Sequence, residues 1–298
     1  MTLHRKDPAM HTTLISVEQL QALQASGAPL MVLDCTFDLM KPEVGEQQYR
    51  EAHIPGAMYA NLDTALSAKG SPDAASGGRH PLPSREKFAA WLSSVGLTNA
   101  MQAVVYDRNG ANYCGRLWWM LKWVGHDAVA VLDGGLQAWT AAGGATQGPV
   151  ASGSETAVSA SNYMPVRSPW SLVATKTIAD NLGKASQTLI DARAAPRFRG
   201  EVEPLDPVAG HIPGALNRPF ALNIGPDGRF KPAAQLKTEF EALLAGRDPS
   251  TVVHHCGSGV SAIPNLLAMQ IAGLGPTALY AGSWSEWCNT PGLPVAQG

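Results

Sequence analysis

His53-Ile54-Pro55-Gly56-Ala57 returns letter for letter as His211-Ile212-Pro213-Gly214-Ala215, and this pair decides the fold. Other pairs line up around it. Val32-Leu33-Asp34 answers Leu189-Ile190-Asp191, and Val104-Val105 answers Val252-Val253. Leu132-Asp133-Gly134-Gly135 with Trp139 answers Tyr280-Ala281-Gly282-Ser283 with Trp287. Solenoid repeats have periods of roughly 20–50 residues. Here the separation is 158 residues between His53 and His211 and 148 between Trp139 and Trp287, the length of a whole domain. The chain therefore reads as a tandem duplication.

Within each half, short apolar runs alternate with helical patterns. Leu30–Leu33, Ala103–Tyr106 and Ala128–Leu132 read as strands; Val17–Leu23, Arg85–Val95 and Arg116–Val124 read as helices, with Gly27 and Gly96 as stops. Strand alternating with helix predicts an α/β fold in which each half is a parallel sheet with helices on both faces. A shift to Gly, Ala and Ser over Ala141–Ser161 marks the connection. The expected division is 1–145, a linker at 146–165, and 166–298. The separation drops from 158 to 148 across Thr64–Pro83. That longer polar loop is expected to wall or cover a cleft.

The chemistry is expected in the second half. Thr251-Val252-Val253 reads as a buried strand, and Leu266–Ile271 as a helix. Between them lies His255-Cys256-Gly257-Ser258-Gly259-Val260-Ser261-Ala262. Strand, tight loop and helix set a sulfur over a helix N-terminus, where free amides and the helix dipole favour an anion. Such a site produces a reactive thiolate. The two glycines admit turns that a side chain would block. The duplication pairs position 256 with Arg108, so the first half has no nucleophile there and supports the second. Cys114 pairs with Ala262, on the helix side.

Composition narrows the class. The chain has 298 residues, 45% of them hydrophobic, enough for two ordinary cores. A net charge of −2 gives no electrostatic case for nucleic acid. Residues 1–13 are polar, which predicts neither a signal peptide nor a membrane span, and Met10 is an alternative start. Cys35, Cys114, Cys256 and Cys288 form no C-x-x-C pair. That argues against a disulfide scaffold or a zinc site and suits a reducing cytoplasm. No metal or organic cofactor is called for, and no P-loop is present.

With the duplication, the paired HIPGA turns, Gly282–Trp287 and Cys256 in place, the chain resembles the two-domain rhodanese-type sulfurtransferases over residues 14–295. The resemblance implies a ping-pong reaction. The cysteine takes a sulfane sulfur from a small donor, becomes a persulfide, and passes the sulfur to cyanide or a thiol, a thioredoxin-like protein among the acceptors. Backbone amides about Gly257, Gly259, Val260 and Ser261 would hold the outer sulfur.

The loop Cys-Gly-Ser-Gly-Val is similar to the 3-mercaptopyruvate sulfurtransferases; thiosulfate enzymes of the vertebrate type carry Arg-Lys-Gly after the cysteine. A neutral loop suits a monoanionic keto acid better than a dianion. In that subfamily a serine assists with an Asp and a His from the first domain, and Ser258, Asp63 and His80 match them. Arg197 matches an arginine that binds the donor's anionic group. A second arginine is expected before the Gly-His-Ile-Pro-Gly turn, where this chain has Glu203-Pro204-Leu205-Asp206-Pro207, leaving Arg199 as the substitute. Phe37 falls where the family lines its cleft with an aromatic residue, or packs in the core. Asp191, His53 and His211 occur in both halves and read as structural; the alternative for Asp191 is to orient Arg197 or the loop amides. His254 and His255 flank the cysteine; alternation points one of them away, and a charged one would favour the thiolate.

Two other classes are weighed. Cysteine phosphatases of this fold place an arginine six residues after the cysteine, where Ala262 stands, so nothing would clamp a phosphoryl group. A non-catalytic binding module would have no use for a reactive thiol in a small-residue loop.

Overall fold

The structure, a computed structural model, describes residues 10–148 and 159–298. The start of the polar leader and the middle of the linker lie outside the described residues. The first half places strands β1 (Leu14–Ile15), β2 (Leu30–Asp34), β3 (Met58–Tyr59), β4 (Gln102–Tyr106) and β5 (Val129–Leu132) in one sheet. Its order is β1-β5-β4-β2-β3, every pair parallel. The second half repeats this with β6 (Thr188–Asp191), β7 (Leu216–Asn217), β8 (Val252–His255) and β9 (Ala278–Leu279) in the order β7-β6-β8-β9, again parallel. Leu172 bridges Leu279 in the place that β1 takes in the first half. The central strands β4 and β8 are buried at every position, as a sheet covered on both faces requires.

Helices α1 (Val17–Ser26), α2 (Pro42–Glu51), α3 (Arg85–Ser94), α4 (Cys114–Trp123) and α5 (Gly135–Ala141) dress the first sheet. The second is dressed by α6 (Thr175–Asp180), α7 (Ala195–Phe198), α8 (Ala233–Leu244), α9 (Ile263–Ile271) and α10 (Ser283–Trp287). Ser16 and Gln19 form a capping box on α1, and Gly27 ends it at φ +70°. One apolar layer packs α1 and α5 on the first sheet through Leu20, Val32, Val104 and Trp139. Another packs Ile178, Val253, Trp284 and Trp287 on the second.

The third layer is shared. Trp118 and Leu121 of α4 and Leu266 and Met269 of α9 belong to one continuous core. All ten residues of α4 are buried, because this helix lies between its own sheet and the other half. The helices meet closely enough that a Cβ on Gly115 would touch Ile263. The seam carries each half's loop toward the other. Residues 159–166 run along the first half, where Ser161 N–H donates to the Ser93 carbonyl and Val166 N–H to that of Val124.

The repeated turns are structural. His53 Nδ1 lies 2.8 Å from the Tyr49 carbonyl and His211 Nδ1 2.8 Å from that of Phe198, each ring stacked on the aromatic it binds beside. Gly56 and Gly214 sit at φ +76° and +79°, the left-handed conformation that explains the glycine.

Candidate active site

Strand β8 ends at His255, Cys256 follows as the first residue of the loop, and the chain enters α9 at Ile263. The loop between is pinned from behind by the α10 turn. Trp284 N–H donates to the Cys256 carbonyl at 3.0 Å and Ser285 N–H to the Gly257 carbonyl at 2.9 Å. Cys256 N–H donates to Ser283 Oγ at 3.1 Å. Ser283 is held at φ +54°, a strained backbone that places this hydroxyl. Gly259 stands at φ +74° against the Ala281 backbone, where a Cβ would overlap the Ala281 carbonyl. Gly259→Ala is expected to destabilise the protein by about 1–3 kcal/mol and to disorder the loop, read as a lower Tm together with lost activity.

The pinning leaves the front of the loop open. The amides of Gly257 through Ala262 have no acceptor among the described residues. The first half shows what this geometry selects. There Asp107 Oδ1 accepts from the amides of Asn109 and Ala111 at 2.8 and 3.1 Å, and Oδ2 from Tyr113 and Cys114 at 2.8 and 2.9 Å. Those four amides correspond to Gly257, Gly259, Ser261 and Ala262. The same loop is thus an anion hole in both halves, filled by its own carboxylate in the first and open beside a cysteine in the second. Arg108, opposite Cys256 in the duplication, instead binds the carbonyls of Gln48 and Ala52 at the end of α2.

Two guanidinium groups reach Gly257. A Cβ on Gly257 would lie 3.3 Å from Arg79 Nη2 and 3.5 Å from Arg197 Nη1. Each is already neutralised: Arg79 by Asp206 at 2.5 Å, Arg197 by Glu203 at 2.6 Å. The Glu203 and Asp206 side chains are only 3% exposed. The segment where a second arginine was expected therefore supplies carboxylates, and the second guanidinium comes from the first half. Arg199 does not take that place; it is exposed and paired with Glu201 at 2.6 Å. Arg193, stacked 4.9 Å over Trp284, is held by Asp191 and Glu203. The Asp191 carboxylate thus holds Arg193, and among the described residues it bonds neither Arg197 nor a loop amide.

The three residues expected to act together are brought together. His80 Nδ1 lies 2.9 Å from Ser258 Oγ, and His80 Nε2 3.6 Å from Asp63 Oδ1, which also pairs with Lys69 at 2.6 Å. The loop that carries them does form a cleft wall: Arg79 N–H donates to Ser285 Oγ at 3.0 Å. Burial first, then Lys69, Arg116 and Arg79, push His80 down to about 3, so the ring is neutral near pH 7. Val260 is buried and Ser261 half-buried in the loop. Phe37 is buried edge-on against Tyr113, with core packing.

Neither neighbouring histidine can charge the thiolate. Alternation puts His254 and His255 on opposite faces, but both faces are covered and both side chains are fully buried. Burial pushes His254 to about 3 and holds His255 below the usual range. The unfolded chain then binds more protons than the folded one as pH falls below 6.5. The stability that His254 contributes above that pH should be lost on the way to about 3, by roughly 1.4 kcal/mol per pH unit, and His255 acts in the same direction. His254→Leu, which removes two buried ring nitrogens without partners among the described residues, should flatten the acid limb of Tm against pH.

The Rhodanese-like domain family matches residues 16–142 and 174–290. The chain belongs to the rhodanese family. It is 46% identical over 287 residues to a Pseudomonas aeruginosa protein named "Probable 3-mercaptopyruvate sulfurtransferase", covering 96% of this chain and 98% of that one. It is 34% identical to "Thiosulfate/3-mercaptopyruvate sulfurtransferase 2" of Arabidopsis thaliana, covering 95% and 86%. SseA of Escherichia coli, described as a 3-mercaptopyruvate sulfotransferase of the rhodanese fold, superposes with TM-score 0.75 at 28% identity, over 92% of this chain and all of that one.

Three arginines of this rhodanese site escaped sequence reasoning. Arg79 and Arg116 belong to the half without a nucleophile, and Arg193 sits beside a residue read as structural. The one available signal was Gly78-Arg79-His80, since a residue adjoining a candidate catalytic histidine shares its loop.

Proposed function

We propose that this sulfurtransferase takes sulfur from 3-mercaptopyruvate and delivers it, through a persulfide on Cys256, to cyanide or a thiol. The observation that carries the reading is the open run of amides at Cys256 beside two guanidiniums that already have carboxylate partners. Amides favour the anionic outer sulfur, and a fork of donors favours a carboxylate. The paired charges suit a monoanion; a dianion would call for unpaired cations.

In the first half-reaction the Cys256 thiolate attacks the donor sulfur. An S–S bond forms, the donor C–S bond breaks, and its electron pair goes to carbon. The donor's thiol proton moves to that carbon, giving pyruvate and a persulfide anion. In the second, cyanide or a thiolate attacks the outer sulfur, the S–S bond breaks, and the Cys256 thiolate returns. With Asp63 Oδ1 3.6 Å from Nε2, the His80 tautomer protonated at Nε2 leaves Nδ1 to accept from the Ser258 hydroxyl. Ser258 is then free to accept and relay the donor proton. Taking sulfur from thiosulfate moves no proton. Ser258→Ala is therefore expected to lower kcat with mercaptopyruvate by about 10²-fold and to leave thiosulfate turnover near wild type.

The deciding measurement compares kcat/KM for 3-mercaptopyruvate and thiosulfate with cyanide as common acceptor. A higher value for thiosulfate overturns the donor and favours thiosulfate sulfur transfer by the same persulfide. Among the described residues no helix is long and apolar enough to cross a membrane. The four free cysteines fit a reducing, cytoplasmic setting. A thioredoxin-like protein is a thiol acceptor of this kind.

A further inference from the structure

Arg116, on α4 of the first half, is fully buried. Its Nη1 donates to the Gly259 carbonyl at 3.0 Å, inside the catalytic loop. Its Nη2 donates to the carbonyls of Leu66 at 3.2 Å and His80 at 2.9 Å, on the loop that brings Asp63 and His80 to the site. Nε has no partner among the described residues. One side chain thus joins the two walls of the cleft.

No carboxylate pairs with it among the described residues, and this sets it apart from every other cation around the loop. Lys69 has Asp63, Arg79 has Asp206, Arg193 has Asp191 and Arg197 has Glu203. Carbonyl dipoles solvate a guanidinium but do not neutralise it. An unpaired buried cation is strongly unfavourable, because nothing offsets its loss of hydration. Ionised Cys256 would complete the tally: five cations, four carboxylates, one thiolate. We propose that Arg116 is the counter-ion of the Cys256 thiolate, a positioning residue by which the half without a nucleophile keeps the catalytic cysteine ionised and its loop aligned.

The electrostatics agree in direction. Burial lowers the guanidinium to about 9, still charged at neutral pH, and the Cys256 thiolate pulls it back up. Arg193 also feels that thiolate but is shared with Asp191 and Glu203. The other groups facing the cysteine do not substitute: His80, His254 and His255 are neutral, while Arg79 and Arg197 are paired at the cleft edge. The duplication gives Pro264 at the position of Arg116, so the service runs one way, from the first half to the second. An ionised Cys256 is part of the persulfide reading, and the inference rests on it to that extent.

The test is the pH dependence of Cys256 alkylation by iodoacetamide, followed by peptide mass. In Arg116→Met the midpoint should rise and the rate at pH 7 fall at least tenfold, with the wild-type plateau recovered at high pH. Arg116→Lys should stay near the wild-type midpoint. A wild-type midpoint in Arg116→Met overturns the proposal and leaves a structural staple. The variant also loses three carbonyl contacts, so Tm is read in a second background. The drop caused by Arg116→Met should be smaller when Cys256 is Ala, because the cation there has already lost its partner. Equal drops in both backgrounds overturn the proposal, as does a double variant that fails to fold. If the wild-type protein forms no persulfide by mass while Arg116→Met still raises the alkylation midpoint, the sulfurtransferase mechanism has failed and the counter-ion stands.

Discussion

Cys256→Ser should fold and transfer no sulfur. Serine fits a loop that is held by backbone bonds to Trp284, Ser285 and Ser283, none of which uses the sulfur. A hydroxyl is un-ionised near neutral pH and cannot form the S–S bond on which both half-reactions depend. Losing such a nucleophile removes at least about 10⁴-fold of the rate. The other three thiols cannot stand in. Burial raises Cys35 and Cys114 well above the usual thiol range, and it raises half-buried Cys288 as well. After donor treatment, a mass increase of one sulfur atom should appear on the wild type, persist in Cys114→Ser and be missing from Cys256→Ser. Alkylation should reach Cys256 before the others. Residual transfer in Cys256→Ser, or loss of transfer in Cys114→Ser, would defeat the register argument that paired Arg108 with Cys256.

That register argument shows what a single sequence can carry. The paired turns and the central apolar strands were legible because each is local and occurs twice, and Cys256 stood out because its copy, Arg108, differs. Strand Ala103–Tyr106 and helix Arg85–Val95 were placed to within two residues of β4 and α3. What stayed hidden depends on contacts between distant segments. Arg79 and Asp206 are 127 positions apart, and Arg116 and Gly259 are 143 apart. No spacing rule links them. A loop judged neutral from Gly257 and Ser258 has cations and carboxylates folded over it from elsewhere. His254 and His255 misled for a related reason: alternation finds the two faces of a strand, but a parallel sheet buries both.

The missing family arginine leads to the second large effect. Arg79→Lys and Arg197→Lys should each raise the donor KM about tenfold, and together lower kcat/KM by roughly 10²–10³-fold, since a charge-assisted hydrogen bond is worth about 1.5–3 kcal/mol. Lysine keeps the charge that Asp206 and Glu203 need, so neither buried carboxylate is stranded and Tm should hardly move. What is lost is the planar fork that can set a carboxylate so that the donor sulfur lines up with Cys256. Methionine would confuse the result, because removing one partner of a buried pair destabilises by itself. Discharge of a preformed persulfide to cyanide should remain close to wild type, because the donor has left by then. Arg199→Lys serves as the control: its guanidinium lies on Glu201 at the surface, and its donor KM should not change. A normal KM in the double variant would take donor recognition away from both arginines and leave it to the loop amides. A raised KM in Arg199→Lys would restore the second-half substitute that the sequence alone suggested.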